Sequence, residues 1–143
     1  MRCCSKATIP PEHQPDAVLS QANPVSGTKY TVLDTTKNIR IISIMAKITW
    51  ATTQPSPLEV HITIDGQTLS FHKNNPVSAA TYLVSNTPTQ PENSQALQEA
   101  NGSIEDSDKA FIYEGRSVKI EAEITWATTQ PTPLVCRVKY AKW

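Results

Sequence analysis

The sequence predicts an all-β fold: an antiparallel, jelly-roll-like β-sandwich of about eight strands with an extended N-terminal arm. Three observations carry that expectation. The octapeptide ITWATTQP occurs twice, at 48–55 and at 124–131. Apolar residues flanking both copies recur with period two, the mark of a strand with one buried face. Strand patterns never alternate with helical ones as a parallel βαβ sheet would require.

The repeat aligns residue n with residue n + 76, so Trp50 falls on Trp126. Ile42, Ile44, Ala46 and Ile48 then meet Val118, Ile120, Ala122 and Ile124, while Val60, Ile62 and Ile64 meet Cys136, Val138 and Tyr140. All are even-numbered, which assigns them to one inward face. On the opposite face the second copy carries Lys119, Glu121 and Glu123 and must be wet. The first copy carries Ile41, Ser43 and Met45 there, an outer surface to be covered by another segment or another subunit.

Between the paired strands stand Pro55 and Pro57, and again Pro131 and Pro133. Proline removes an amide donor and fixes φ, so the ladder stops and the chain can cross from one sheet to the other. Two equivalent strand–corner–strand units, near the beginning and the end, suit a jelly roll in which first and last strands are neighbours. Both corners then lie side by side at one end. An immunoglobulin-like sandwich is the alternative, without its Cys–Trp–Cys signature. The repeated corner reads either as fold geometry or as a binding surface, with Trp50 and Trp126 at the bases and Gln54 and Gln130 at the tips.

Residues 1–28 form the arm, and residues 29–143 the sandwich domain. Pro10, Pro11, Pro15 and Pro24 punctuate the arm, and its apolar content cannot support a fold alone. It is either a solvated tail or an extended segment anchored on another subunit through Ile9, Val18 and Leu19. Strands are expected at 29–34, 38–50, 58–64, 67–72, 78–85, 109–114, 116–126 and 134–141. Asp65-Gly66 is the strongest hairpin signal, with partners summing to 131 so that His61 opposes Ser70. Only 91–108 interrupts the pattern, where Ser94 could cap a short helix over 95–100 ended by Asn101-Gly102.

Thirteen basic and thirteen acidic residues leave no surplus for phosphates, which argues against a nucleic-acid partner. No apolar run approaches the roughly 20 residues of a membrane span, and the N-terminus lacks the apolar stretch of a secretory signal. Cys3, Cys4 and Cys136 are read as free thiols, Cys136 as a small core residue.

Candidate chemistry is sparse. There is no G-K-[ST] loop, no G-x-S-x-G elbow and no H-E-x-x-H pair. His61 and His72 are not register mates, and two ligands without a carboxylate make no metal site. Glu121 and Glu123 stand roughly 7 Å apart along a strand, a spacing glycoside hydrolysis can use, but a solvated strand face accounts for them. Glu105, Asp106 and Asp108 read as an exposed turn rather than a calcium loop. No catalytic residue, cofactor or metal is assigned.

Residues 27–141 nonetheless carry a resemblance. "GTKYTVLDTTKNIRIISI", the hairpin "EVHITIDGQTL" and the late strand "FIYEGRSVKIEAEITW" resemble small jelly-roll proteins of tailed bacteriophages, which serve as capsid decoration (auxiliary head) proteins and as tail-fibre modules. The resemblance implies a non-enzymatic virion protein, assembled in the host cytoplasm, that binds the major capsid protein on the outer head surface as a homotrimer. Its expected protein interface comprises Ile9, Val18, Leu19, Ile41, Met45, Trp50, Gln54, Trp126 and Gln130. A receptor- or carbohydrate-binding module of a tail fibre, using Trp50, Trp126 and Trp143 as stacking surfaces, is the alternative.

Overall fold

The computed structural model describes residues 12–50, 57–84, 94–99, 113–127 and 130–142. In chain order the strands are β1 (Glu12–His13), β2 (Ala17–Gln21), β3 (Tyr30–Thr35), β4 (Ile39–Ile48), β5 (Pro57–Ile64), β6 (Gln67–Asn74), β7 (Thr81–Leu83), β8 (Ser94–Ala96), β9 (Gln98–Glu99), β10 (Tyr113–Gly115), β11 (Val118–Ile124) and β12 (Leu134–Lys142). No helix occurs among the described residues. The fold is all-β.

One sheet runs β2-β12-β4-β7, with β1 continuing β2 along the edge of β12, and β10 and β9 adding to β4 and β7. The other runs β3-β11-β5-β6-β8. Pairing is antiparallel except for β8 on β6. The inner faces close over one core, in which Ile44, Ile48 and Val138 of the first sheet meet Leu58, Ile62, Phe71 and Ile120 of the second. This is a β-sandwich.

The expected corners do cross between sheets. β4 lies in the first sheet and β5 in the second, whereas β11 lies in the second and β12 in the first. Ile48 pairs with Leu134 and Ile124 with Leu58, two register pairs related by the same shift of 76. The strand ends that bound the two corners therefore adjoin. Thr132 N–H donates to the Thr49 carbonyl at 2.7 Å and Thr125 N–H to that of Pro57 at 3.2 Å, tying each unit to the other.

The 65–66 hairpin has the expected register, His61 opposite Ser70. Asp65 and Gly66 both have positive φ (50° and 87°), as a two-residue type I′ turn demands. The Asp65 carboxylate accepts from the amides of Arg116 and Ser117, which locks the hairpin to the start of β11.

Two expectations need correction. Period two places Ile41 on the outward face, yet Ile41 is fully buried. The cause is a bulge: Lys139 pairs with Ser43 and Tyr140 with Ile41, so Ile42 is skipped and the inward parity changes from even to odd. Ile39 and Ile41 thus belong to the core, and only Met45 of that set remains half-exposed. The helix at 95–100 is also absent. Residues 94–96 pair with β6 and 98–99 with β7, and between them Leu97 is buried and its N–H donates to the His72 carbonyl at 2.8 Å. So short a helix is marginal alone, whereas open sheet edges offer partners at once.

The segment read as an arm lies along its own domain over its described part. Ala17–Gln21 pairs with Leu134–Val138, Leu19 packs against the core, and Val18 points outward at 54% exposure. Ile9 lies outside the described residues.

Candidate functional site

The first candidate is the end of the sandwich where the ITWATTQP units turn. Here a second repeat appears that the sequence reading missed. N-P-V-S-x-x-x-Y occurs at 23–30 and at 75–82, a shift of 52. The turn at 23–30 grips the second tryptophan and the turn at 75–82 grips the first. Ser26 Oγ accepts from the Trp126 amide at 2.9 Å and donates to its carbonyl at 3.0 Å. Ser78 Oγ accepts from the Trp50 amide and donates to its carbonyl, both at 3.0 Å.

The rest of each clamp matches. The amides of Val25 and Val77 donate to the hydroxyls of Tyr30 (2.9 Å) and Tyr82 (2.8 Å). Gly27 and Ala79 both take positive φ (76° and 65°) and donate to the carbonyls of Ile124 and Ile48. Pro24 and Pro76 are buried. Strand registers repeat as well: Tyr30 pairs with Ala122 as Tyr82 pairs with Ala46, and Leu19 pairs with Cys136 as Phe71 pairs with Val60.

The chain is thus two tandem four-strand units, β2-β3-β4-β5 and β6-β7-β11-β12, each supplying two strands to each sheet. Serine and tryptophan are 24 residues apart within the first unit and 48 within the second. An insertion between β7 and β11 accounts for the change of shift from 52 to 76. It also hides the second repeat from any search at one fixed period.

At this end Trp50 is 6% exposed and Trp126 half-buried. The Trp126 indole N–H donates to the Pro24 carbonyl at 3.0 Å, which also accepts from the Gln130 amide at 3.2 Å. Trp50 Nε1 is buried without a partner among the described residues. Both tryptophans are thereby fixtures of the clamps. Gln54, Trp143, Cys3, Cys4, Glu105, Asp106 and Asp108 lie outside the described residues.

The second candidate lies on the outer face of the second sheet. Antiparallel register sets Glu123, Glu59 and His72 in one row across β11, β5 and β6, and Glu121, His61 and Ser70 in the next. The middle residue, His61, is only 7% exposed. Its Nε2 stands 2.9 Å from Glu123 Oε1 and 4.0 Å from Glu59 Oε2, and its Nδ1 stands 2.8 Å from Ser70 Oγ. The carboxylate that the sequence reading found lacking beside His61 comes from β11, 62 residues away. Glu121 and Glu123, expected to act alike on a wet face, are divided: Glu121 lies 3.7 Å from Lys119, while Glu123 serves the histidine.

No protein-family model, curated protein or solved structure matches the chain. The clamped loop end and the histidine cluster are the two candidate sites among the described residues. Elsewhere a groove of about 420 Å³ lies beside the 65–66 hairpin, lined by Ile64, Asp65, Gln67, Leu69, Tyr113 and Glu114.

Proposed function

We propose that this chain is a structural protein of a viral particle, a jelly-roll decoration protein bound to the outer surface of a tailed-bacteriophage head. The observation that carries the reading is the strand order, β2-β12-β4-β7 in one sheet over β3-β11-β5-β6 in the other, with β2 and β3 on the same side. Eight such strands divided equally between two sheets suit a jelly roll, and this arrangement adds support to the reading drawn from the resemblance in residues 27–141.

The interlocked clamps fit a role in which the fold resists mechanical strain. Each unit is closed by the other, so neither can peel away without breaking hydrogen bonds to its partner. Val18 on the edge strand and the half-exposed Met45 on β4 offer apolar contacts to a neighbour. The carbohydrate-binding alternative draws less support, because stacking needs an open ring face and Trp50 is sealed in the core while Trp126 is half-covered and tied to Pro24.

The test is a protein census of purified particles combined with solution mass. The chain is expected in the head fraction at high copy number, and as a trimer in light scattering. Its absence from the particles overturns the reading. A monomer in solution that still decorates heads overturns only the trimer.

A further inference from the structure

We propose that Glu59, His61 and Glu123 form a binding site for a divalent transition-metal cation of the zinc class. One ligand atom from each of the three side chains, an imidazole nitrogen and two carboxylate oxygens, lies within 4.8 Å of the others. Zinc bonds of about 2.0–2.2 Å to nitrogen and oxygen in a tetrahedral shell set ligand atoms roughly 3.4 Å apart. The observed 2.9 and 4.0 Å separations bracket that value. Small side-chain rotations suffice to bring the atoms onto one ion.

Charge favours the same reading. Glu59 and Glu123 are direct register partners on neighbouring strands, and like charges placed directly opposite destabilise a sheet. Lys119 of the same strand face is directed to Glu121. A dication between the two carboxylates converts a repulsive pair into a ligand pair.

Ser70 supplies the supporting contact. A ligating imidazole is held through its other nitrogen by a fixed hydrogen-bond partner. In the present arrangement Nε2–H donates to Glu123, since a carboxylate only accepts. When a cation takes Nε2, the neutral ring's single N–H proton is given up there and one is taken up from solvent at Nδ1, a change of tautomer with no net proton release. The Ser70 hydroxyl at 2.8 Å can rotate to accept from Nδ1–H. An imidazole with two carboxylates suits zinc and its transition-metal neighbours better than magnesium or calcium, which favour all-oxygen shells. Three protein ligands leave a fourth position to water.

The experiment is calorimetric titration of the full chain with Zn²⁺ and optical titration with Co²⁺, with Cys3 and Cys4 replaced by serine so that thiolates cannot answer for the site. One equivalent should bind, raise the thermal midpoint, and give cobalt d–d bands without thiolate charge transfer. Ser70→Ala should weaken zinc binding about 10- to 100-fold, the usual effect of removing an outer-shell partner. Glu123→Gln, nearly isosteric, should abolish one-equivalent binding while circular dichroism shows an unchanged sheet. Absence of a zinc-dependent thermal shift in the parent, or equal affinity in Glu123→Gln, overturns the proposal. Should Glu123→Gln fail to fold, Glu59→Gln decides by the same criterion.

Discussion

The hydroxyl of Ser26 bridges the amide and the carbonyl of Trp126, a residue 100 positions further along the chain. A serine oxygen there does what a neighbouring strand would otherwise do. It satisfies both polar groups of a backbone unit at the point where the ladder ends. Ser78 repeats the arrangement on Trp50, so the two halves of the chain are cross-laced at one end.

Ser26→Ala and Ser78→Ala should each cost about 1–3 kcal/mol, because a part-buried amide and carbonyl lose their partner together. The two clamps share no partner, so the double variant should be additive to within about 0.5 kcal/mol. Urea denaturation with an unchanged m-value is the check. Loss of less than half a kilocalorie from either variant would mean that water replaces the hydroxyl.

The paired turns also contain a natural comparison. Gly27 and Ala79 occupy equivalent left-handed positions, and a Cβ at Gly27 would meet nothing within 4 Å. Sterics of the backbone alone therefore separate them. Ala79→Gly should stabilise and Gly27→Ala destabilise, each on the order of 0.5–1.5 kcal/mol. Opposite signs in paired thermal melts are the expected result.

How much of this was legible beforehand follows from what each feature depends on. The ITWATTQP repeat and its even-numbered apolar positions located β4, β5, β11 and β12, because period two depends only on local strand geometry. The same parity misplaced Ile41, since a bulge shows only in the pairing with β12. The N-P-V-S turns were readable as text, but the insertion between β7 and β11 shifted them out of the period of 76. Glu123 beside His61 needed the register of β11 on β5, which no local pattern encodes.

Glu121 and Glu123 should respond unequally to substitution. Glu121→Gln loses a partly exposed pairing with Lys119 at 3.7 Å, and exposed ion pairs contribute about 0–1 kcal/mol. Glu123→Ala removes the acceptor of His61 Nε2 and leaves a buried donor unmet, at a cost of about 1–3 kcal/mol. Chemical denaturation in the presence of chelator measures both without any metal contribution. Equal losses would contradict the division of roles across this face.

A chain shortened to begin at Ala22 should lose stability and gain stickiness together. It gives up the β2 ladder and the packing of Leu19 against the core, worth about 2 kcal/mol or more by apolar burial alone. It also bares the edge of β12, which can then pair with another chain. Concentration-dependent association in light scattering, absent in the full chain at the same concentration or limited there to a defined trimer, is the expected signature.

Alkaline stability should carry the imprint of Cys136. Burial pushes its thiol from an ordinary value of 9.0 up to about 12, because the interior disfavours the thiolate. The unfolded chain releases this proton near pH 9 while the folded chain holds it until about pH 12. Across that window the folded state binds more protons, so stability falls as pH rises. The contribution is complete below pH 9 and lost as pH climbs through about 12. Burial raises the Tyr113 hydroxyl in the same direction. Cys136→Ala should therefore flatten the decline in unfolding free energy between pH 9 and 11 relative to the parent, although its baseline stability is lower from the lost packing. In the same window, with Cys3 and Cys4 replaced by serine, a thiol reagent should modify Cys136 only at the rate of unfolding. Rapid labelling of the folded chain at pH 9 would show that the core admits solvent to β12.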